Sequence, residues 1–166
     1  MRFDVKPILN TPGKSLTFQF ALDLSDMELN GQYPAKEPIE VAGGVRNTAG
    51  LLELSMTVTT VLEAVCDRCT KPLRLPKEIQ FDCLLAQELE NEENDEIVLL
   101  EDGEVDVGDL ARTAFILNMD AKFLCSEDCK GLCPRCGADL NLGPCACKKE
   151  ADPRFAALAK LLENNQ

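Results

Sequence analysis

The chain has 166 residues, 45% of them hydrophobic, which suits one domain or a domain with a small metal-bound annex. No run of about 18 apolar residues occurs, which excludes a spanning helix, and the absence of histidine excludes any metal site that draws on imidazole. A net charge of −12 argues against a tight grip on nucleic-acid phosphates, which depends on Lys and Arg displacing counterions.

The N-terminal residues Met1-Arg2-Phe3-Asp4-Val5-Lys6-Pro7 lack the apolar stretch of a secretory signal. The expected address is cytoplasmic, where thiols stay reduced. Closely paired cysteines there serve as metal ligands or redox groups more readily than as structural disulfides.

Leu16 to Leu24 places apolar residues at 16, 18, 20, 22 and 24, the period of a half-buried strand. After a loop at Asn30 to Pro34, Ile39 to Arg46 and Leu51 to Cys66 form two further strands. Asn47-Thr48-Ala49-Gly50 joins them as a turn. Leu73, Leu75, Ile79, Phe81, Cys83 and Leu85 alternate again, so Cys66-Asp67-Arg68-Cys69 falls at the tip of a hairpin. Cys83 continues an apolar face and is expected as a buried small hydrophobe.

Of the 29 acidic residues, eleven lie between Glu88 and Asp109, where no Lys or Arg occurs. The other 18 are matched by 17 bases, so the acidity belongs to one segment. That segment is either a solvated linker or an attractor of a basic protein. It is expected as a loop with one short strand at Ile97 to Leu100. Asp106 or Asp109 then caps a helix over about 107–119, with Leu110, Ala111, Ala114, Phe115 and Leu117 apolar. Near the end, Asp152 followed by Pro153 opens a short C-terminal helix carrying Phe155, Leu158, Ala159, Leu161 and Leu162.

Eight of the nine cysteines come in four close pairs: Cys66/Cys69, Cys125/Cys129, Cys133/Cys136 and Cys145/Cys147. Four pairs are what two tetrahedral all-thiolate zinc sites require. Pro134 fixes the second C-x-x-C turn, and Gly137 after it admits a positive φ. Cys145 and Cys147 lie close enough to complete that site locally. We assign Cys133, Cys136, Cys145 and Cys147 to one zinc ion, and Cys66, Cys69, Cys125 and Cys129 to another. The rival grouping sets Cys125, Cys129, Cys133 and Cys136 against Cys66, Cys69, Cys145 and Cys147. Either way four thiolates close the coordination shell, the mark of a structural zinc site.

Two enzymatic readings have partial spacing matches. Cys129, Cys133 and Cys136 give C-x3-C-x2-C, the spacing of radical-SAM iron–sulfur enzymes, but those resemble longer βα barrels and carry an aromatic where Arg135 stands. A dithiol oxidoreductase needs its C-x-x-C at a helix N-terminus, not on a hairpin. No nucleotide-binding or nucleophile motif is present, and no histidine offers a general base, so an enzyme is not expected. Arg68, Lys71, Arg74 and Lys77, with Lys148, Lys149 and Arg154, form small basic groups without interleaved aromatics. They support at most a weak, local RNA contact.

The order of these pieces resembles the YceD family, the bacterial large ribosomal RNA subunit accumulation proteins. The resemblance rests on Cys66-Asp-Arg-Cys69, the acidic stretch, Val105-Asp-Val-Gly-Asp-Leu-Ala111, and Cys129-Lys-Gly-Leu-Cys133-Pro-Arg-Cys136-Gly-Ala-Asp-Leu-Asn141. Cys145-Ala-Cys147 and Asp152-Pro-Arg154 complete it. It implies a non-enzymatic cytoplasmic factor for the accumulation, processing or assembly of large-subunit ribosomal RNA. The charge pattern points to a basic ribosomal protein, or an assembly intermediate presenting one, as the partner. A redox- or zinc-responsive regulator is the alternative. The expected fold is α+β: an antiparallel β-sheet domain over 1–120 with one packed helix, then a Cys-rich zinc-binding region and short C-terminal helix over 121–166. The Cys66/Cys69 knuckle joins the two.

Overall fold

The computed structural model describes residues 1–88 and 97–147. The expected C-terminal helix and the densest part of the acidic run lie outside these residues. Among the described ones the fold is α+β, with a mostly antiparallel sheet and two helices.

The main sheet is built from β2 (Ser15–Leu22), β3 (Ile39–Thr48), β4 (Leu51–Val65), β5 (Pro72–Ala86) and β6 (Ile97–Leu99), in that spatial order. The β4 strand sets its logic. Leu52, Leu54, Met56, Val58, Leu62 and Ala64 are buried, while Glu53, Ser55, Thr59 and Glu63 face outward. This alternation is the two-residue pleat repeat, and it commits one face of the sheet to the core. Continued one step beyond the strand, the same period turns Cys66 inward, where it is fully buried.

The β3–β4 turn is tighter than the sequence suggests. The strands pair out to Thr48 and Leu51, leaving Ala49 and Gly50 as a two-residue turn with φ of 53° and 97°. Positive φ at both central positions matches the twist of a hairpin. Asn47, expected in the turn, is instead buried within β3. Its Nδ2 donates to the carbonyls of Ile8 and Leu9 at 2.7 and 2.9 Å, and its Oδ1 accepts from Gly50 N–H at 2.9 Å. These partners make burial of the amide tolerable. The Ile8 and Leu9 carbonyls belong to α1 (Lys6–Leu9), a single turn too short for its sequence to announce.

Strand β6 departs from the antiparallel pattern by joining β5 in parallel, with Leu84, Leu85 and Ala86 opposite Ile97, Val98 and Leu99. Parallel neighbours cannot be joined by a tight turn, which sets β6 apart from the hairpin-linked strands before it. At the far end, β1 (Arg2–Asp4) pairs with β7 (Glu104–Asp106) in a separate two-stranded sheet.

Helix α2 spans Val107–Leu117, and Asp106 is its cap, accepting from Gly108 N–H and Asp109 N–H at 3.0 Å each. Val107, Ala111, Ala114 and Phe115 of α2 join the buried core of the sheet. Beyond the helix, the buried ring of Phe123 enters the same core and brings the chain back to the β4–β5 hairpin tip.

Candidate metal centres

The β4–β5 hairpin closes through Cys66–Lys71. Cys66 N–H donates to the carbonyl of Lys71 and Thr70 N–H to that of Cys66, both at 2.8 Å, with Thr70 at φ 59°. The turn at Cys133–Ala138 repeats this pattern. Cys133 N–H donates to Ala138 O at 2.8 Å and Gly137 N–H to Cys133 O at 2.9 Å, with Gly137 at φ 72°. The two C-x-x-C turns are therefore the same knuckle, each offering two thiols and the N–H groups around them.

Each knuckle meets a second cysteine pair. The Sγ atoms of Cys66, Cys69, Cys125 and Cys129 lie within 4.8 Å of one another, and so do those of Cys133, Cys136, Cys145 and Cys147. In the first cluster Cys66 and Cys129 are 3.8 Å apart and Cys69 and Cys125 are 3.6 Å apart. A tetrahedron with metal–sulfur bonds of about 2.3 Å has edges of roughly 3.8 Å, so the donor set fits a zinc-sized ion. The rival grouping is not formed. Cys129 belongs with Cys66, which also splits the radical-SAM spacing across two clusters. Cys66 and Cys69 sit on a hairpin, not at a helix N-terminus.

The clusters differ in exposure. Cys66, Cys69 and Cys129 are buried and Cys125 is exposed, whereas in the second cluster only Cys133 is buried, Cys136 is exposed and the other two are half-buried. Cys83 joins neither cluster; it is half-buried against the core, and burial pushes its thiol up to about 11.

Backbone donors divide the thiols electrostatically. Burial alone would raise Cys66, but the N–H groups of Cys69, Cys125 and Arg68 outweigh it and bring the thiol down to about 6. Cys133 is held at about 6 chiefly by the N–H groups of Cys136 and Arg135. Cys69 has the Lys71 N–H in its favour, yet burial and three neighbouring sulfurs push it up to about 12. Cys147 reaches about 12 through the Cys136 sulfur first and burial second. Each cluster thus pairs a thiol whose ionised form the backbone N–H groups favour with one whose ionised form burial and neighbouring sulfurs disfavour.

Residues between and around the cysteines fasten the first cluster. Asp67 N–H donates to the carbonyl of Phe123 at 2.8 Å, and Phe123 N–H donates to Asp67 Oδ2 at 2.8 Å. Gln32 adds a bond to Asp67 Oδ1 at 3.0 Å while pairing with both backbone groups of Val65. Arg68 turns its guanidinium onto the 125–129 loop, where Nη1 donates to the carbonyls of Glu127 and Cys129 at 3.1 and 2.8 Å. In sequence Arg68 looked like part of a basic surface. Arg74 pairs with Glu63 at 3.4 Å and Lys77 with Asp120 at 3.1 Å, so three of the four bases around this knuckle have partners within the chain. The supporting roles of Asp67 and Arg68 have no sequence signal beyond their place between Cys66 and Cys69, and Gln32, 34 residues before Cys66, has none.

With this geometry in view, similarity to known proteins becomes specific. The family model described as "Large ribosomal RNA subunit accumulation protein YceD" matches residues 54–162, which include all eight clustered cysteines. The chain belongs to the YceD family. It is 24% identical to the uncharacterized protein YlbN of Bacillus subtilis over 99% of this chain and 98% of that protein. The uncharacterized protein Rv2926c of Mycobacterium tuberculosis is 30% identical over 68% of this chain and 62% of its own length. The chloroplastic protein "Large ribosomal RNA subunit accumulation protein YCED homolog 1" of Arabidopsis thaliana is 26% identical, over 81% of this chain and 51% of that protein. No solved structure matches the chain. Among the described residues, no helix is long and apolar enough to cross a membrane.

Proposed function

We propose that this member of the YceD family is a non-enzymatic, zinc-binding factor for the accumulation, processing or assembly of large-subunit ribosomal RNA, acting in the cytoplasm. The observation that carries the reading is the YceD match across 54–162, laid over two tetrathiol clusters. Four sulfurs per ion leave no open position for substrate or water, so zinc here supplies folding free energy, on the order of 10 kcal/mol for small modules. The first ion would tie the hairpin tip to the segment after α2; the second would close the loop at 133–147.

The partner that best suits the charges is a basic ribosomal protein, or an assembly intermediate that presents one. Within the acidic segment Glu101, Glu104, Asp106 and Asp109 border a groove of about 320 Å³ with Arg2, Val98, Leu99 and Leu110. Glu101 pairs with Arg2 and Asp106 with the Met1 ammonium, so Glu104 and Asp109 are the acids of this groove left to face a partner. The bases of the first knuckle are likewise mostly spent within the chain, which leaves RNA contact weak and local.

The test is a sucrose-gradient profile with quantified ribosomal RNA in cells depleted of the protein. A shortage of large subunits or their RNA, with small subunits spared, is the expected result. A normal profile would overturn the ribosomal role. Metal analysis of the purified chain should give two zinc ions and no iron. Replacing the acids of Glu88 to Asp109 by Gln or Asn should release the ribosomal partner at physiological salt; unchanged binding would remove the acidic segment from the reading.

A redox- or zinc-responsive regulator is the second reading, favoured by the second cluster, where only Cys133 is buried. Rapid zinc release under mild peroxide would support it, and slow release would count against it.

A further inference from the structure

Only Lys130, Gly131 and Leu132 separate Cys129, the last sulfur of the first cluster, from Cys133, the first sulfur of the second. This linker is held from both sides. Leu132 N–H donates to the carbonyl of Arg68, inside the first knuckle, at 3.1 Å. From the other side come residues 138–141, which lie between Cys136 and Cys145 and so belong to the loop that the second cluster closes. Leu140 N–H donates to Gly131 O at 2.9 Å, Cys133 N–H donates to Ala138 O at 2.8 Å, and Leu132 bridges to Asp139.

Asn141 is the point where the second loop reaches the first metal site. Its Oδ1 accepts from Lys130 N–H at 2.8 Å, and its Nδ2 lies 3.5 Å from the Sγ of Cys129 as a donor. Asp139 steadies it, accepting from Asn141 N–H at 2.9 Å and from Nδ2 at 2.7 Å. Asn141 therefore sits in the loop of one cluster while donating to a sulfur of the other.

We propose that the two metal sites are energetically coupled and that Asn141 is the positioning residue that carries the coupling. This rests on the reading that both clusters bind metal. An ion at Cys133, Cys136, Cys145 and Cys147 closes the 136–145 loop and fixes residues 138–141. The fixed loop holds Lys130 and presents Cys129 to the first ion at no further ordering cost. Without the second ion the loop is unpinned, and the first site must organise Cys129 itself. Linkage makes the effect reciprocal: the first ion tightens the second by the same factor.

The test uses the full chain and Zn²⁺ in competition with a chromophoric chelator. Four proteins are compared: the unaltered chain, N141A, C145S/C147S, and C145S/C147S with N141A added. Far-UV circular dichroism checks that each keeps its sheet. Loss of an outer hydrogen bond to a metal-ligating group typically costs 10–100-fold in affinity. The expected result is that N141A lowers the overall two-ion binding constant about tenfold. In the C145S/C147S background, where a single ion binds, the same substitution should change affinity less than twofold.

An equal loss in both backgrounds would overturn the coupling and leave Asn141 acting locally on Cys129. No loss in either would remove Asn141 from the site. If the unaltered chain bound fewer than two ions, the metal reading itself would fail and take this proposal with it. That outcome is distinct from two ions binding independently.

Discussion

Asp67 and Phe123 exchange two hydrogen bonds across 56 residues of chain: Phe123 N–H donates to Asp67 Oδ2, and Asp67 N–H donates to the Phe123 carbonyl, each at 2.8 Å. One residue of the first knuckle thereby docks the segment that carries Cys125 and Cys129. Hydrogen bonds to a charged group contribute about 1.5–3 kcal/mol. Asp67→Ala should lower the thermal midpoint of the metal-loaded protein by about 4–8 °C, a loss of about 2 kcal/mol in a chain of this size. Asp67→Asn keeps an acceptor for Phe123 and should lose less than half as much. Equal losses for the two variants would show that a neutral acceptor does not hold Phe123 and that the contact rests on the carboxylate's charge.

Gly131 and Gly137 have nearly the same backbone, φ 73° and 72°, but different surroundings. A Cβ at Gly137 meets nothing within 4 Å, whereas one at Gly131 would stand 2.8 Å from the carbonyl oxygen of Arg68. Gly137→Ala therefore costs only left-handed strain, about 1–2 kcal/mol. Gly131→Ala adds a clash with the very carbonyl that accepts from Leu132 N–H. Chelator competition should show Gly131→Ala weakening metal binding about tenfold more than Gly137→Ala. Similar losses would mean that the Gly131–Arg68 approach relaxes without consequence.

The sheet was legible in the sequence because β4 and β5 alternate with period two over long runs, and that period does not depend on what the strands pack against. The four cysteine pairs were legible, but the sequence left two groupings of them open. The nearness of Cys145 and Cys147 to Cys133 and Cys136 in the chain favoured the grouping that the structure forms. What stayed hidden depends on distant partners. Arg68 has the composition of a surface base, and only the carbonyls of Glu127 and Cys129 turn it inward. The parallel sense of β6 has no local signal, because the pattern of Ile97 to Leu99 is the same for either direction.

Asn47 illustrates the same point at the other end of the sheet. Its turn-forming chemistry pointed to a loop, yet it is the buried polar side chain among the described residues, satisfied by α1 and Gly50. Asn47→Ala strands the Leu9 carbonyl and the Gly50 N–H, while the Ile8 carbonyl keeps the Thr11 N–H, and should cost about 3 kcal/mol in urea unfolding. Asn47→Asp should be worse at neutral pH, since a carboxylate would face the carbonyls of Ile8 and Leu9. It should recover part of the loss on acidification, when the carboxyl gains a proton to donate. An alanine variant with unchanged stability would mean that water replaces all three bonds.

Asp106 ties the first residue of the chain to the start of α2. The Met1 ammonium lies 2.8 Å from Oδ1, which also accepts from Gly108 and Asp109 N–H. The ammonium foremost, then the Asp109 N–H, hold this carboxyl below the ordinary aspartate value of 3.8. A group whose folded pKa is depressed contributes stability that is fully present above its unfolded pKa and lost as pH falls through the folded one. Asn caps a helix about as well as Asp, so Asp106→Asn removes only the exposed ion pair, a few tenths of a kcal/mol at pH 7. Asp106→Ala removes the cap as well and should cost about 1 kcal/mol. Acid also protonates the thiolates and releases metal from every variant, so the informative quantity is the difference between unaltered chain and Asp106→Asn. That difference should hold from pH 7 to about pH 5 and close below pH 3.8. Acetylating the Met1 amine of the unaltered chain should reproduce the Asp106→Asn curve. A difference that persists to the lowest pH would show that the carboxylate's charge is not what the N-terminus recognises.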